Sequence, residues 1–129
     1  MREEGSKKIY DLEERCFQFA KDIAFFCKKL PMSIVNREYI KQLIRSSSSI
    51  GANYIEANEC LGEKDFLMRL RISRKEAKET SFWLRLITET NNEAFKEEGT
   101  RFSNESNELK KIFSSIIQKK LKSNDPKGI

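Results

Sequence analysis

The chain has 129 residues, which is the size of one domain with one hydrophobic core. With 38% hydrophobic and 35% charged residues but only 5 Gly and 2 Pro, the composition is that of a folded, helical protein and excludes a loop-rich β protein. The net charge of +5 permits attraction to nucleic acid or to another acidic partner, without indicating specificity. Neither a signal peptide nor a membrane span is visible, so we expect a cytoplasmic protein with no membrane partner.

The first predicted helix covers about residues 6–30, because its apolar residues recur at a spacing of three and four. Pro31 ends this helix, since the residue before a proline is pushed out of the helical conformation. The main apolar seam contains Ile9, Leu12, Cys16, Phe19, Ile23, Phe26 and Leu30. A second seam contains Phe17, Ala20, Ala24 and Cys27. Two seams on one helix predict more than one neighbour, and we assign Phe17 to an oligomer interface.

The second predicted helix covers about residues 36–61, with Asn36 as its N-cap. It includes the stretch SSSSIGANYIEANE, because the 3-4 spacing continues through the serines and the glycine. The seam contains Ile40, Leu43, Ser47, Ile50, Tyr54, Ala57 and Leu61. Serine and glycine lower helix propensity, so their use here requires a packing reason. We expect the small residues Ser47, Ser48, Gly51 and Ala52 to let another helix approach closely.

The third predicted helix covers about residues 63–91 and has two different faces. The inner face contains Phe66, Leu70, Ser73, Ala77, Thr80, Leu84 and Ile87. The opposite face contains Leu67, Arg71, Arg74, Lys75, Lys78, Phe82 and Arg85. Like charges four residues apart destabilise an isolated helix, and apolar residues stand among them. This face is typical of a subunit interface or a nucleic-acid surface, with a solvated charged face as the alternative.

The fourth predicted helix covers about residues 93–122 and is expected to fray or bend near Gly99. Its seam contains Phe95, Phe102, Ser106, Leu109, Phe113 and Ile116. Residues 123–129 are expected to form a disordered tail. Four long helices with short connections predict an all-α fold, an antiparallel up-down-up-down four-helix bundle that forms one domain over residues 1–122.

The side chains offer little chemistry, because the chain contains no histidine and no phosphate-cradling glycine motif. We therefore expect no enzymatic activity, no cofactor and no small-molecule substrate. The carboxylate pairs Glu56/Glu59 and Glu76/Glu79 resemble a di-metal site, but the ferritin-like arrangement places a histidine where the second glutamate stands. Ion pairs with Arg45, Arg69 or Arg74, or plain exposure, are the expected alternatives, so no metal is predicted. The odd number of cysteines, 3, argues against a disulfide framework and for buried thiols.

Two stretches, IKQLIRSSSSIGANYIEANE and DFLMRLRISRKEAKETSFWLRLI, resemble the bacterial proteins of the 23S rRNA intervening-sequence family. The same fold includes the accessory variability determinant of diversity-generating retroelements. The resemblance implies a four-helix bundle that assembles into a ring-like homopentamer. For the retroelement relative it also implies a basic surface that binds nucleic acid and a reverse transcriptase. The matching positions are Ser49, Gly51, Asn53, Glu56, Arg71, Arg74, Glu76, Glu79 and Trp83.

These motif residues are expected to have architectural roles, with Asn53 and Glu56 pairing with arginines of the third helix. Two functions stay open. In the first, an oligomeric module binds RNA or DNA without sequence specificity. The phosphate contacts would then be made by Lys41, Arg45, Arg71, Arg74, Lys75, Lys78 and Arg85. In the second, the same face meets an acidic protein partner or another subunit. The predicted oligomer interface contains Phe17, Leu67 and Phe82.

Overall fold

A computed structural model of the protein describes residues 4–123, with side chains described from residue 11 onward. Within this range the chain forms α1 (Glu4–Lys29), α2 (Ile34–Glu59), α3 (Glu63–Thr90) and α4 (Lys96–Ser123). A 3₁₀ turn, Glu93–Phe95, precedes α4, and the described residues contain no strand. The prediction of an all-α fold with four helices is confirmed. The predicted tail lies outside the described residues except for Ser123, which ends α4. None of these four helices has both the length and the apolar composition that crossing a membrane requires.

The core of the bundle contains the inward faces of all four helices. On α1 the main seam is buried from Leu12 to Leu30, as predicted, while the side chain of Ile9 lies outside the described residues. The inner face predicted for α3 is also buried, from Leu70 to Ile87. These seams form because a helix brings residues three and four apart onto the same side. The seams predicted for α1 and α3 are therefore correct over these ranges.

The serines of α2 are part of an unbroken helix, which confirms that this stretch is not a linker. Their hydroxyl groups contribute to the packing of α2 against α3. The Ser73 hydroxyl donates to the Ile50 carbonyl at 2.9 Å, and the Thr80 and Ser46 hydroxyls lie 2.9 Å apart. Every buried side-chain polar atom among the described residues has a partner. Small hydrogen-bonded side chains thus replace large apolar ones where these helices meet.

The predicted small-residue surface of α2 is correct for two of its four members. Gly51 faces α1, where a Cβ atom would lie only 2.9 Å from the Cys16 Cβ, and Ser47 is buried. Ser48 and Ala52 are exposed, which contradicts the prediction. A helix turns about 100° per residue. Ala52 is therefore turned about 100° from Gly51, and Ser48, three residues before Gly51, is turned about 60° in the same direction, so both are exposed rather than packed against α1.

The ends of α2 differ from the prediction. Ser33, not Asn36, is the N-cap, because its side-chain oxygen accepts the Asn36 backbone N–H at 3.0 Å. Asn36 is buried and exchanges hydrogen bonds of 2.8 and 2.9 Å with the side-chain amide of Asn91. Leu61 was predicted in the core but is fully exposed, since α2 ends at Glu59.

The predicted fraying of α4 at Gly99 is wrong, because the helix continues through this residue. Gly99 is buried against α3, where a Cβ atom would overlap the Thr88 side-chain methyl. The close approach of α3 to α4 explains why this position is a glycine. Farther along α4, Ile117 is buried and Ile116 is only partly buried. A strict seven-residue repeat drifts by about 20° per heptad on a straight helix, so the core position has moved by one residue at this end.

Candidate nucleic-acid interface

Four cations follow one another on the outer side of α3 and form the basic strip, which consists of Arg71, Arg74, Lys75 and Lys78. Arg71, Lys75 and Lys78 are exposed and Arg74 is half-buried. None of the four forms an ion pair within the described part of the chain. The helix therefore carries four cations without ion-pair partners within about two turns, although the charge of Lys75 contributes to lowering the pKa of Glu79. Such a surface attracts polyanions.

Two of the other predicted phosphate contacts are already neutralised on the surface. Lys41 lies 3.4 Å from the Glu38 carboxylate, and Arg85 donates to the Glu89 carboxylate at 2.9 Å. Both pairs join exposed side chains within one helix, so each contributes at most a few tenths of a kcal/mol, about 0.3–0.5 by analogy with similar pairs. Phosphate groups can replace such weak partners at little cost. Lys41 and Arg85 remain accessible cations, but each positive charge is partly balanced by a carboxylate on the same helix.

Arg45 differs from these, because its guanidinium group bridges two carboxylates of α3. It lies 3.2 Å from Glu76 and also pairs with Glu79, which in addition accepts the Trp83 indole N–H at 2.9 Å. The Trp83 hydrogen bond and the Arg45 ion pair lower the pKa of Glu79. The predicted ion pairing of Glu76 and Glu79 with Arg45 is confirmed. No group of acidic, cysteine or histidine side chains within residues 11–123 has the arrangement of a metal site.

This cluster of Arg45, Glu76, Glu79 and Trp83, the α2–α3 network, connects two helices from the outside. Tyr39 continues it, with its ring centroid 5.9 Å from that of Trp83. Arg45 therefore balances charge within the bundle. Its assignment as a phosphate contact finds no support in this geometry.

The remaining motif residues also act within the bundle. Arg69 of α3 donates to the Asn53 side chain at 3.0 Å, which is the pairing predicted for Asn53. Glu56 is exposed and forms no ion pair with another described residue, so the pairing predicted for it is wrong. The Ser49 hydroxyl donates to the Arg45 carbonyl at 2.7 Å within α2. The motif thus joins helices through Asn53 and the α2–α3 network.

Leu67 was predicted on the exposed face of α3, and this prediction is wrong. It is only 8% exposed and belongs to the core. Its neighbours on the next turn are the buried Leu70 and the exposed Arg71, so it stands at the border between the two faces. An apolar side chain at such a border turns inward, because burial removes its surface from water.

Phe82 is 56% exposed and lines a groove between α3 and α4. Its ring packs edge-on against Trp83, with 5.1 Å between the ring centroids. The groove has a volume of about 550 Å³ and a mixed lining. It is lined by Ser81, Phe82, Leu84, Arg85, Thr88, Glu89, Lys96, Gly99, Thr100, Ser103 and Asn104. The sequence did not predict this groove. Polar residues of α4 that line a groove have the same pattern as polar residues on an open surface.

A second exposed apolar area, the apolar flank, consists of Phe17 of α1 with Ile44 and Ile55 of α2. These side chains are 59%, 43% and 47% exposed. Phe17 follows Cys16, which contacts Gly51 of α2. Ile44 and Ile55 lie seven residues before and four after Gly51, so they share its side of α2. The flank therefore follows the seam between α1 and α2. Only Phe17 was predicted from the sequence.

Comparisons with known proteins identify the family and the fold of the chain. The chain matches the family described as 23S rRNA-intervening sequence protein over residues 8–115. It is also similar to a crystal structure from Bacteroides thetaiotaomicron, a protein of unknown function from the S23 ribosomal protein family. That protein is 34% identical with a TM-score of 0.70, and the alignment covers 82% of this chain and 97% of that chain. No curated protein matches.

Proposed function

The chain belongs to the family of 23S rRNA-intervening sequence proteins, and from this membership we propose that it is a non-enzymatic, cytoplasmic module that binds RNA or DNA. The basic strip is the observation that carries the proposal. Its four cations lie within two turns of one helix and lack carboxylate partners among the described residues, whereas Arg45 nearby has two. Such a strip would neutralise phosphate groups and release the counterions condensed around the nucleic acid. Contacts of this type give affinity with little choice of sequence.

Assembly is the second part of the proposal. The helices are antiparallel, and copies of the bundle associate into a ring-like homopentamer. Contacts between α2 and α3 support the antiparallel order, because Asn36 near the start of α2 pairs with Asn91 after α3, while Asn53 pairs with Arg69. The apolar flank supports self-association, since exposed apolar patches mark interaction surfaces. Several basic strips in one assembly would bind a long polyanion more tightly than one strip, through avidity.

A titration tests the binding. Increasing protein is added to a fluorescently labelled structured RNA, and the anisotropy of the label is followed at about 50 and 200 mM salt. If the assembly neutralises about six to ten phosphates, affinity falls roughly a thousandfold or more over this range. Absence of binding at the lower salt concentration would contradict the proposal.

Charge reversal in the basic strip then tests the site. We expect Arg74→Glu with Lys78→Glu to abolish binding of the RNA while the mass of the assembly, measured by native mass spectrometry, stays unchanged. Lys21→Glu with Lys28→Glu is the matched control, because it makes the same charge change on exposed residues of α1. If the two double variants lose RNA affinity equally, binding depends on net charge alone, and the basic strip of α3 is not the binding site.

A protein-interaction scaffold is the second candidate, and the apolar flank beside α1 favours it. In that function the basic strip meets an acidic partner chain or a neighbouring subunit rather than phosphates. The same double variant separates the two candidates. If Arg74→Glu with Lys78→Glu dissociates the assembly, the strip is a subunit contact and the scaffold is the better description.

A further inference from the structure

The line of cations on α3 is interrupted by one aromatic ring. Arg71, Lys75, Lys78, Phe82 and Arg85 are separated by four, three, four and three residues, so they form one continuous row on the helix. Phe82 is 56% exposed in this row. The rise of an α-helix places Lys78 and Arg85 about 10 Å apart, with the ring between them. An exposed aromatic ring between cations suits a ligand that has both a flat face and negative charge.

The groove beside the ring has the size and the lining for a small planar group. Its volume of about 550 Å³ lies within the range of ligand sites, about 300–1,000 Å³. Ser81, Thr100, Ser103 and Asn104, which carry hydroxyl or amide groups, line it, and the Ser81 hydroxyl already donates to the Asn107 side chain at 3.2 Å. Hydroxyl and amide groups both donate and accept hydrogen bonds. They can therefore pair with the edge of any nucleobase.

The ring itself is held in place from one side. Trp83 contacts it edge-on, with centroids 5.1 Å apart, and the Trp83 indole N–H is in turn bonded to Glu79 at 2.9 Å. A ring that is braced in this way loses little conformational freedom when a ligand binds, which favours affinity. The α2–α3 network thus orients Phe82 as well as joining two helices.

We propose that this groove binds an unpaired nucleobase, which stacks on the Phe82 ring while Lys78 and Arg85 contact the phosphates on either side. The inference rests on the proposed nucleic-acid function and specifies its ligand as single-stranded or bulged RNA or DNA. A continuous duplex keeps its bases stacked on one another and offers only phosphates. Aromatic rings beside cations are the usual platform for unpaired bases, because every base has a face on which to stack.

A second copy of the chain is a poorer occupant of this groove. In a twofold dimer, a contact through Phe82 would place the row of cations of one subunit against the same row of the other, whereas in a cyclic ring Phe82 would meet a different surface of the neighbouring subunit. Like charges brought together and removed from water oppose association. The apolar flank, which has no such row, is better suited to contact between subunits. Phe82, which was predicted from the sequence as an interface residue, is therefore assigned here to the ligand.

The experiment compares two probes of the same sequence, a labelled single-stranded RNA and its fully paired duplex, by fluorescence anisotropy at low salt. We expect Phe82→Ala to weaken binding of the single strand by about tenfold to a hundredfold and to leave duplex binding unchanged. Phe82→Tyr should restore single-strand binding, because tyrosine also offers a ring. Phe25→Ala is the matched control, since Phe25 is 53% exposed beside Lys28 on α1.

A second readout reports stacking directly. A 2-aminopurine base within the single strand is quenched by its neighbouring bases, so we expect its fluorescence to rise when it leaves them for the Phe82 ring of the native protein, and not with Phe82→Ala. The proposal is overturned if Phe82→Ala binds the single strand like the native protein, if it weakens both probes equally, or if it changes the mass of the assembly. In these cases duplex binding by the native protein would still support the basic strip. If the native protein binds neither probe, the proposed function fails together with this inference.

Discussion

Cys16 and Cys27 are buried in the core, and this burial raises the pKa of their thiols to about 12 and about 11. A thiol reacts as its thiolate, which scarcely forms at such pKa values near neutral pH. Cys60 differs, because it is the C-cap of α2, is only partly buried and lies 3.3 Å from the Glu56 carbonyl. The sequence predicted that all three thiols are buried, which is correct for Cys16 and Cys27 and wrong for Cys60, because α2 ends at Glu59.

We therefore expect one thiol per chain to react quickly with Ellman's reagent at pH 8 in the folded protein, and all 3 after unfolding in urea. Cys60→Ser is the control and should remove the fast reaction. Rapid reaction of two or more thiols in the folded native chain would contradict the burial of Cys16 and Cys27.

Stability is expected to depend on pH, because the hydrogen bond from Trp83 and the ion pair with Arg45 lower the pKa of Glu79. Because the folded state lowers the pKa of Glu79 from 4.5, the carboxylate stabilises the fold above that pH, and this contribution is lost as pH falls through the lower folded value. Glu79→Gln should lower the free energy of unfolding by up to about 1 kcal/mol at pH 7, a small value since both groups are partly exposed.

Urea unfolding of the native chain and Glu79→Gln at pH 7 and pH 3 measures this effect, and we expect the difference to shrink at pH 3. Glu89→Gln serves as the control, because the pair of Glu89 with Arg85 is exposed and lies within one helix. A difference between the native chain and Glu79→Gln that is equal at both pH values would show that the charge of Glu79 does not matter.

Each helix was predictable as an element because its apolar spacing is a local property of the sequence. The predictions that were wrong concern positions whose surroundings depend on a neighbouring helix. Leu67 turned inward at the edge of the core, and Gly99, predicted as a weak point of α4, proved to be a contact with Thr88. A glycine that breaks a helix and a glycine that lets two helices approach look the same in one sequence. Only the side chain that faces the glycine from the neighbouring helix distinguishes the two cases.

Gly99 and Thr88 therefore predict a coupled pair of substitutions. Gly99→Ala alone should destabilise the protein, because overpacking costs about 1–3 kcal/mol and the gain in helix propensity returns only about 1 kcal/mol. In a Thr88→Ser background the overlapping methyl is absent, so Gly99→Ala should become neutral or slightly stabilising.

Thermal unfolding of the four chains of this double-mutant cycle measures the coupling. Gly62→Ala is a useful comparison, because a Cβ atom at that position meets nothing within 4 Å. Equal effects of Gly99→Ala in both backgrounds would show that Thr88 is not the obstacle.

At the scale of the whole molecule, the sequence predicted which residues are basic but not which of them are neutralised. Arg45 and Lys78 are both cations at helical spacing, yet Arg45 bridges Glu76 and Glu79 while Lys78 has no ion-pair partner among residues 11–123. These carboxylates are 31 and 34 residues away from Arg45 along the chain. Which cations are available to a ligand can therefore be decided only when the helices are packed together and their ion pairs are known.

The apolar flank predicts the route of assembly. Phe17→Ser with Ile44→Ser should reduce the mass of the assembly, because burial of each native side chain contributes roughly 1.5–3 kcal/mol to association. Size-exclusion chromatography with light scattering measures the mass, and circular dichroism checks the helical content. Phe25→Ser with Met32→Ser is the control, since both side chains are exposed away from the flank. An unchanged mass in the first variant would exclude the flank as the interface.

The ion pairs between α1 and α4 set an order of events during synthesis of the chain. Arg15 pairs with Glu105 and Lys29 with Glu98, partners separated by 90 and 69 residues. The α2–α3 contacts join neighbours along the chain, so they can form while α4 is still inside the ribosome. The last partners of α1 emerge only when synthesis is nearly finished. Until then part of the core face of α1, including Phe19 and Phe26, is without the aromatic partner that Phe102 supplies. In the nascent protein the core face of α1 is therefore the surface most open to misassociation, and α4 covers it last.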